Sequence, residues 1–143
     1  MQTHFVTAQN VQHGDMPWCH VEWMSNPEIV GAREILLVRA TFEAGKAHLF
    51  HIHPGREEII YVLEGTADQW VGTEKRRLSA GEMAHIPRNT PHATYNNSDR
   101  VLKFLAILSP VEAGGEFAVD VWDEEPWRSL LAHNNIPATQ AVI

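Results

Sequence analysis

Short segments of five to nine residues, separated by turn residues, make up most of the chain. Glycine, proline, asparagine or aspartate lies in each gap between them, and no helical pattern separates one segment from the next. Strands at this spacing are typical of an antiparallel sandwich or barrel. The sequence therefore predicts an all-β fold. The predicted strands are 34–42, 49–53, 58–64, 66–71, 82–87, 92–96 and 100–108.

The segments that flank these strands carry weaker signals. The first thirty residues are interrupted by glycine and proline and are predicted to be irregular. Residues 117–122 could add a strand, and acidic residues beside a proline favour a short helix from Asp123 to about His133. The sequence shows no repeat or linker, so one domain is predicted over 1–143. Its expected parts are an N-terminal arm (1–30), a barrel core (about 34–110) and a C-terminal arm (111–143).

The composition limits the classes of function. The 143 residues carry 11 Lys and Arg against 18 Asp and Glu, a formal net charge of −7. This balance argues against a nucleic-acid partner, and the one basic run, at 75–77, is predicted to be a solvated turn. A single cysteine, Cys19, excludes an intramolecular disulfide. No signal-like start and no apolar run near the roughly 18 residues of a membrane helix are present, so a cytoplasmic protein without a membrane partner is expected.

Histidine is the residue that stands out, with nine in the chain and five of them from His48 to His92. His51 and His53 are two residues apart in a predicted strand, so their side chains point to the same face. Glu58 opens the next predicted strand, and His92 opens a later one. Three imidazoles and one carboxylate suit a first-row divalent ion and leave coordination positions open for substrate or water. The alternative is that these are ordinary surface or core histidines.

Two segments around these residues resemble the paired motifs of the cupin family. Residues 45–65 read Gly, five residues, His-x-His, four residues, Glu, six residues, Gly. Residues 81–96 read Gly, five residues, Pro-x-Asn, two residues, His, three residues, Asn. The family has Gly where Asn89 stands, at a turn that needs a left-handed backbone, and asparagine is the next best residue there.

The resemblance implies a double-stranded β-helix, or jelly-roll barrel, that holds one metal ion inside. Carried over by position, the implied ligands are His51, His53, Glu58 and His92. The ion would be a divalent transition metal: Fe, Mn, Ni, Zn or Cu. Glu57 is also a carboxylate, but it is predicted to stay in water, because Glu58 shares its strand face with the apolar residues that follow.

Other candidates are weaker. His85, Tyr61 and Tyr95 are the possible acids or bases near the metal, although wall or core packing explains each of them equally well. His48 lies an odd number of positions from His51, so a regular strand places it on the opposite face. Cys19 has no basic neighbour to activate its thiol.

The leading hypothesis is a small metal-dependent enzyme acting on a small organic molecule. Among similar cupins, a dioxygenase is the first choice and an isomerase or lyase is an alternative. The competing hypothesis is a module that binds a sugar or metabolite without turnover.

A homodimer is also expected, because four tryptophans lie in the arms and need a surface to cover. The C-terminal arm could close over the barrel mouth as a lid, or pack on the outside as a fixed arm. The four tryptophans are Trp18, Trp23, Trp122 and Trp127.

Overall fold

The computed structural model describes residues 2–131, which form two antiparallel sheets and two short helices. The strands are β1 (Gln12–Met16), β2 (Cys19–Ser25), β3 (Leu36–Phe42), β4 (Ala47–Ile52), β5 (Glu57–Glu64), β6 (Thr66–Val71), β7 (Glu74–Ser79), β8 (Met83–Ile86), β9 (His92–Tyr95), β10 (Leu102–Ser109) and β11 (Val119–Asp120). The helices are α1 (Pro27–Val30) and α2 (Trp127–Leu131). No helix within the described range is long and apolar enough to span a membrane.

The larger sheet has the strand order β1-β2-β3-β10-β5-β8. Its strands alternate between apolar residues that face the core and residues that face outward, which is the period of two that a sheet imposes. In β3, for example, Leu36, Val38, Ala40 and Phe42 are buried, and the residues between them are half-buried. The buried side chains of this sheet form the main hydrophobic core.

The smaller sheet has the order β11-β4-β9-β6-β7 and carries a second apolar cluster. Phe50 of β4 is fully buried there, with its ring centroid 5.7 Å from that of Trp70 and 4.9 Å from that of Trp127. The C-terminal segment through α2 therefore packs on this sheet as a fixed arm. All four arm tryptophans pack against the two apolar clusters of their own chain.

Two sequence-based predictions are wrong in detail. The N-terminal arm is not irregular, because residues 12–25 form the β1–β2 hairpin, which extends the larger sheet. Residues 75–77 are not a turn but lie in β7, which pairs with β6 along its whole length. Only Leu78 of β7 is buried, so this edge strand lacks the apolar alternation by which strands are predicted. Of the predicted helix, the structure forms Trp127–Leu131, and its expected end lies outside the described residues.

Two turn residues of the motifs adopt left-handed backbone conformations. Gly65 has a φ of 79°, and a Cβ atom there would lie 2.4 Å from the main-chain oxygen of Val101, so only glycine fits. Asn89 has a φ of 60°, the left-handed conformation expected at the position where the motif has glycine. Its side-chain oxygen also accepts a hydrogen bond from the N–H of Gly55, at 2.7 Å.

Candidate metal centre

Three histidines meet where β4 and β9 pair. His51 and His92 are directly opposite each other in the ladder, and His53 follows β4 by one residue. Their candidate ligand atoms all lie within 4.8 Å of one another, and all three residues are buried. The same group is the one that sequence spacing selects. Three buried imidazoles this close together could bind a metal ion.

Main-chain carbonyls fix the orientation of each ring. The Nδ1–H groups of His51, His53 and His92 donate to the carbonyls of Leu49 (2.6 Å), Phe117 (2.8 Å) and Thr90 (2.9 Å), in that order. A carbonyl only accepts hydrogen bonds, so each Nδ1 carries the proton and each Nε2 is left for a metal. The partner of His53 comes from a distant loop, and a main-chain carbonyl gives no signal in the sequence.

Glu58 completes the set of four predicted ligands. One of its carboxylate oxygens lies 3.2 Å from Nε2 of His53 and 3.2 Å from Nε2 of His92. Two ligand atoms that each lie about 2.1 Å from one ion are separated by about 3.0–3.4 Å, so this spacing fits neighbouring ligands of a single ion. That oxygen and Nε2 of His92 are buried and make no well-aligned hydrogen bond within the described chain. The three buried histidines could bind a divalent transition metal, and Glu58 lies beside two of them.

Electrostatics support the same arrangement. Burial and the neighbouring imidazoles lower the pKa of His51 well below its usual value, so this ring is neutral. Burial alone would raise the pKa of Glu58, but His92 and His53 outweigh it and the net pKa is lowered. Burial likewise opposes a charge on His53, but Glu58 beside it leaves the pKa of His53 raised. The site therefore offers an ionised carboxylate beside a neutral imidazole.

The two adjacent glutamates point in opposite directions, as predicted. Glu58 is 4% exposed, whereas the side chain of Glu57 is 53% exposed and pairs with His85 at the surface. Glu58 lies on the same face of β5 as the buried residues Ile60 and Val62. The strand is regular here, so the register inferred from the motif is the one observed.

The four side chains lie in the wall of a cavity between the sheets, with a volume of about 200 Å³. Apart from the candidate ligands, His48, Thr94 and Cys19, the lining residues are apolar or aromatic. No lysine or arginine lines it among the described residues. The rest of the lining comprises Met16, Trp18, Val21, Trp23, Val38, Ala40, Phe42, Ile60, Phe104, Ala106, Leu108, Phe117 and Ala118.

His48 lies in this wall, and the prediction that it points away from His51 is wrong. The pairing of β4 with β9 shifts register between His48 and His51, where three steps along β4 match two steps along β9. This β-bulge adds one residue to β4 and brings both imidazoles to the same face. Their rings stack with centroids 3.4 Å apart. Burial lowers the pKa of His48 well below its usual value.

None of the three predicted acid–base candidates lines the cavity. His85 lies on the outer face of β8, with its side chain 47% exposed and paired with Glu57. Tyr61 is on the outer face of β5 and is 37% exposed. Tyr95 is fully buried, but in the second apolar cluster, on the side of the smaller sheet that faces away from the cavity. Cys19 reaches the cavity, and burial with the nearby Asp15 raises the pKa of its thiol to about 12, so it is unreactive.

Comparison with known proteins agrees with this geometry. The family model described as Cupin domain matches residues 38–108, which include both motifs. The uncharacterized protein MJ1618 of Methanocaldococcus jannaschii is 33% identical over 85 residues, which cover 59% of this chain and 68% of that protein.

Solved structures show the same fold. KdgF from Halomonas sp. superposes with a TM-score of 0.66 at 22% identity, over 76% of this chain and 94% of that one. The S161A mutant of Bacillus subtilis oxalate decarboxylase OxdC superposes with a TM-score of 0.67 at 20% identity. The match covers 91% of this chain and only 36% of the decarboxylase. With both motifs, the two-sheet jelly roll and these relatives in agreement, the chain belongs to the cupin family as a small cupin domain protein.

Proposed function

We propose that this protein is a metal-dependent enzyme that acts on a small organic molecule with an apolar body. The observation that carries the proposal is the convergence of three buried imidazoles and the Glu58 carboxylate, with every Nδ1 already bound to a carbonyl. Such oriented donors hold a metal ion without large rearrangement. Bacillus subtilis oxalate decarboxylase, of the same fold, has Mn(II) centres.

The cavity wall limits the substrate. Its volume of about 200 Å³ suits a small ligand and not a polymer. The wall is mostly apolar, and a molecule with many hydroxyl groups would leave its polar groups unpaired. The described wall also offers no cation for a second carboxylate. These features favour a phenolic or similarly apolar substrate over a sugar or a small dianion.

Within this reaction the residues have separate tasks. His51, His53, Glu58 and His92 would hold the ion, and the ion would supply Lewis-acid polarisation of substrate oxygens or, for iron, copper or nickel, redox chemistry with dioxygen. The apolar walls exclude water and bind the body of the substrate. Phe117 lies at the cavity beside His53, with ring centroids 4.8 Å apart, while its carbonyl fixes that histidine. A dioxygenase is the first choice, because a site of three histidines and one glutamate with open coordination positions is common among cupin dioxygenases.

A binding module without turnover is the second candidate. The observation in its favour is that His85, Tyr61 and Tyr95 all lie away from the cavity. Among the described wall residues outside the candidate ligands, His48 is the one imidazole that a reaction needing an acid or base, such as an isomerisation, could use. In a binding module, a metal ion at the same site would bind a metabolite through the oxygen atoms of the metabolite.

The experiment is an oxygen-uptake assay on protein of known metal content. The protein is expressed in media supplemented with iron, manganese, nickel, zinc or copper, and bound metal is measured by elemental analysis. Each preparation is then assayed with catechols, flavonols and small thiols, with Glu58→Gln as the matched control. Several metals are needed because copper and zinc outcompete iron and manganese at most sites. Uptake that depends on Glu58 supports the dioxygenase, whereas no uptake with any metal favours the binding or isomerase alternative.

We also propose a homodimer formed through the outer face of the larger sheet. Across this face Leu37 is opposite Ile107, Leu105 is opposite Tyr61, and Tyr61 is opposite Met83. Tyr61 and Met83 are 37% and 45% exposed, and the others are half-buried. A contiguous apolar sheet face of this kind suits a symmetric pairing of two copies.

The cytoplasmic location expected from the sequence also stays a prediction.

A further inference from the structure

His48 is a polar residue of the cavity wall that the metal site does not use. Its ring lies between two others, with centroids 3.4 Å from His51 and 4.1 Å from Trp18, and both contacts are stacked. These contacts fix the plane of the imidazole. Within residues 2–131 its ring nitrogens make no hydrogen bond. The ring is therefore held in place beside a candidate ligand with its polar atoms unused.

Trp18 adds a second unused polar group on the same wall. Its indole N–H is buried and has no hydrogen-bond partner in the described part of the chain. Trp18 is only 5% exposed, and its ring also packs edge-on against Phe42 at 5.5 Å. Buried donors in folded proteins are nearly always paired. Trp70 and Tyr95 also have unpaired polar atoms, but both lie in the second apolar cluster, whereas the Trp18 N–H belongs to a residue of the cavity wall.

Outside the candidate ligands, the other polar side chains of the wall are Thr94 and Cys19, and a thiol is only a weak hydrogen-bond donor. The Thr94 hydroxyl donates to the side-chain oxygen of Gln69 at 2.6 Å. The three candidate ligand imidazoles donate to main-chain carbonyls through Nδ1, as described above. His48 and Trp18 are thus the neighbouring wall groups, outside the metal site, that are free to bind a ligand through hydrogen bonds.

We propose that His48 is a substrate-contacting residue that selects the ligand. Together with the Trp18 indole N–H, it would form hydrogen bonds with an oxygen of a molecule whose other oxygen faces the metal site. An imidazole offers both an N–H donor and an acceptor nitrogen, whereas an indole only donates. The ligand class is then a small molecule with an apolar body and two oxygen functions close together, as in a catechol. This proposal rests on the proposed metal-dependent function.

The test uses catechol and the cobalt(II)-loaded protein, whose visible absorption reports binding at the metal. His48→Phe keeps an aromatic ring between Trp18 and His51 but removes both nitrogens. We expect cobalt content equal to that of the wild type and catechol affinity at least tenfold weaker. His48→Gln restores hydrogen bonding and should recover part of the affinity, and Trp18→Phe should show a smaller loss. Arg76→Ala, at an exposed position of β7 outside the cavity, is the control and should leave the affinity unchanged.

The outcomes separate the two proposals. If the wild type takes up no cobalt, the metal-dependent function fails and the role of His48 fails with it. If the wild type loads cobalt but does not bind catechol, or binds it as tightly in His48→Phe, the metal function stands and the role of His48 is wrong. If His48→Phe loses cobalt, His48 supports the geometry of His51 and does not select the ligand, which also overturns the proposal.

Discussion

The side chain of Asn89 accepts a hydrogen bond from the main-chain N–H of Gly55, at 2.7 Å. Gly55 lies in the turn after His53, and Asn89 lies in the turn before His92. This bond therefore links the two turns beside the histidines of the candidate metal centre, whose strands β4 and β9 also pair. Glycine at position 89 would permit the same left-handed backbone but could not form the bond.

Substitutions at Asn89 should separate its two contributions to stability. Asn89→Gly keeps the backbone conformation and loses the hydrogen bond, which is expected to cost about 1 kcal/mol in free energy of unfolding. Asn89→Ala loses the bond and also strains the backbone at a φ of 60°, so its total cost is expected to be about 2–3 kcal/mol. Urea denaturation of both variants measures the difference. Equal stability of Asn89→Ala and the wild type would contradict this account of the turn.

Trp127 is expected to contribute to the free energy of unfolding and not to metal binding. Its ring packs on Phe50, on the outer side of the smaller sheet and away from the cavity. Trp127→Ala is expected to lower the free energy of unfolding by about 2–3 kcal/mol, because a half-buried aromatic surface is lost. Metal content, measured by elemental analysis, should not change. A variant with normal stability but weaker ligand binding would instead restore the lid hypothesis.

The proposed dimer can be disrupted at its two most accessible apolar residues. Sedimentation of the wild type at micromolar concentration is expected to give a dimer. The double variant Tyr61→Glu with Met83→Glu should sediment as a monomer, because it places four charges in the symmetric interface. Arg76→Ala, at an exposed position of β7 on the other sheet, is the control and should remain a dimer. A wild type that sediments only as a monomer would remove this proposal.

Sequence spacing was sufficient to predict which candidate ligands lie together, and insufficient to predict the rest of the cavity wall. His51, His53, Glu58 and His92 could be predicted because regular strands turn a spacing of two into a shared face, and because the motif defines their order. His48 could not, because a β-bulge resets the alternation of side chains and leaves no mark in the residue pattern.

Strand β7 and the main-chain partner of His53 could not be predicted from the sequence, for a similar reason. The edge strand β7 buries only Leu78, so its residues look like a solvated turn. The carbonyl of Phe117, which fixes His53, is a main-chain group that any residue could supply. Contacts between segments distant in sequence decide both, and local patterns do not record them.

A metal titration of paired glutamate variants tests most directly whether one ion is held by three histidines and Glu58. Glu58→Gln removes the charged donor that lies 3.2 Å from both His53 and His92, so metal affinity should fall by more than tenfold. Glu57→Gln changes an exposed carboxylate and should titrate like the wild type, with one ion per chain. His51→Ala and His92→Ala should lose metal as Glu58→Gln does. A larger loss in Glu57→Gln than in Glu58→Gln, or full metal content in either histidine variant, would contradict the four-ligand site.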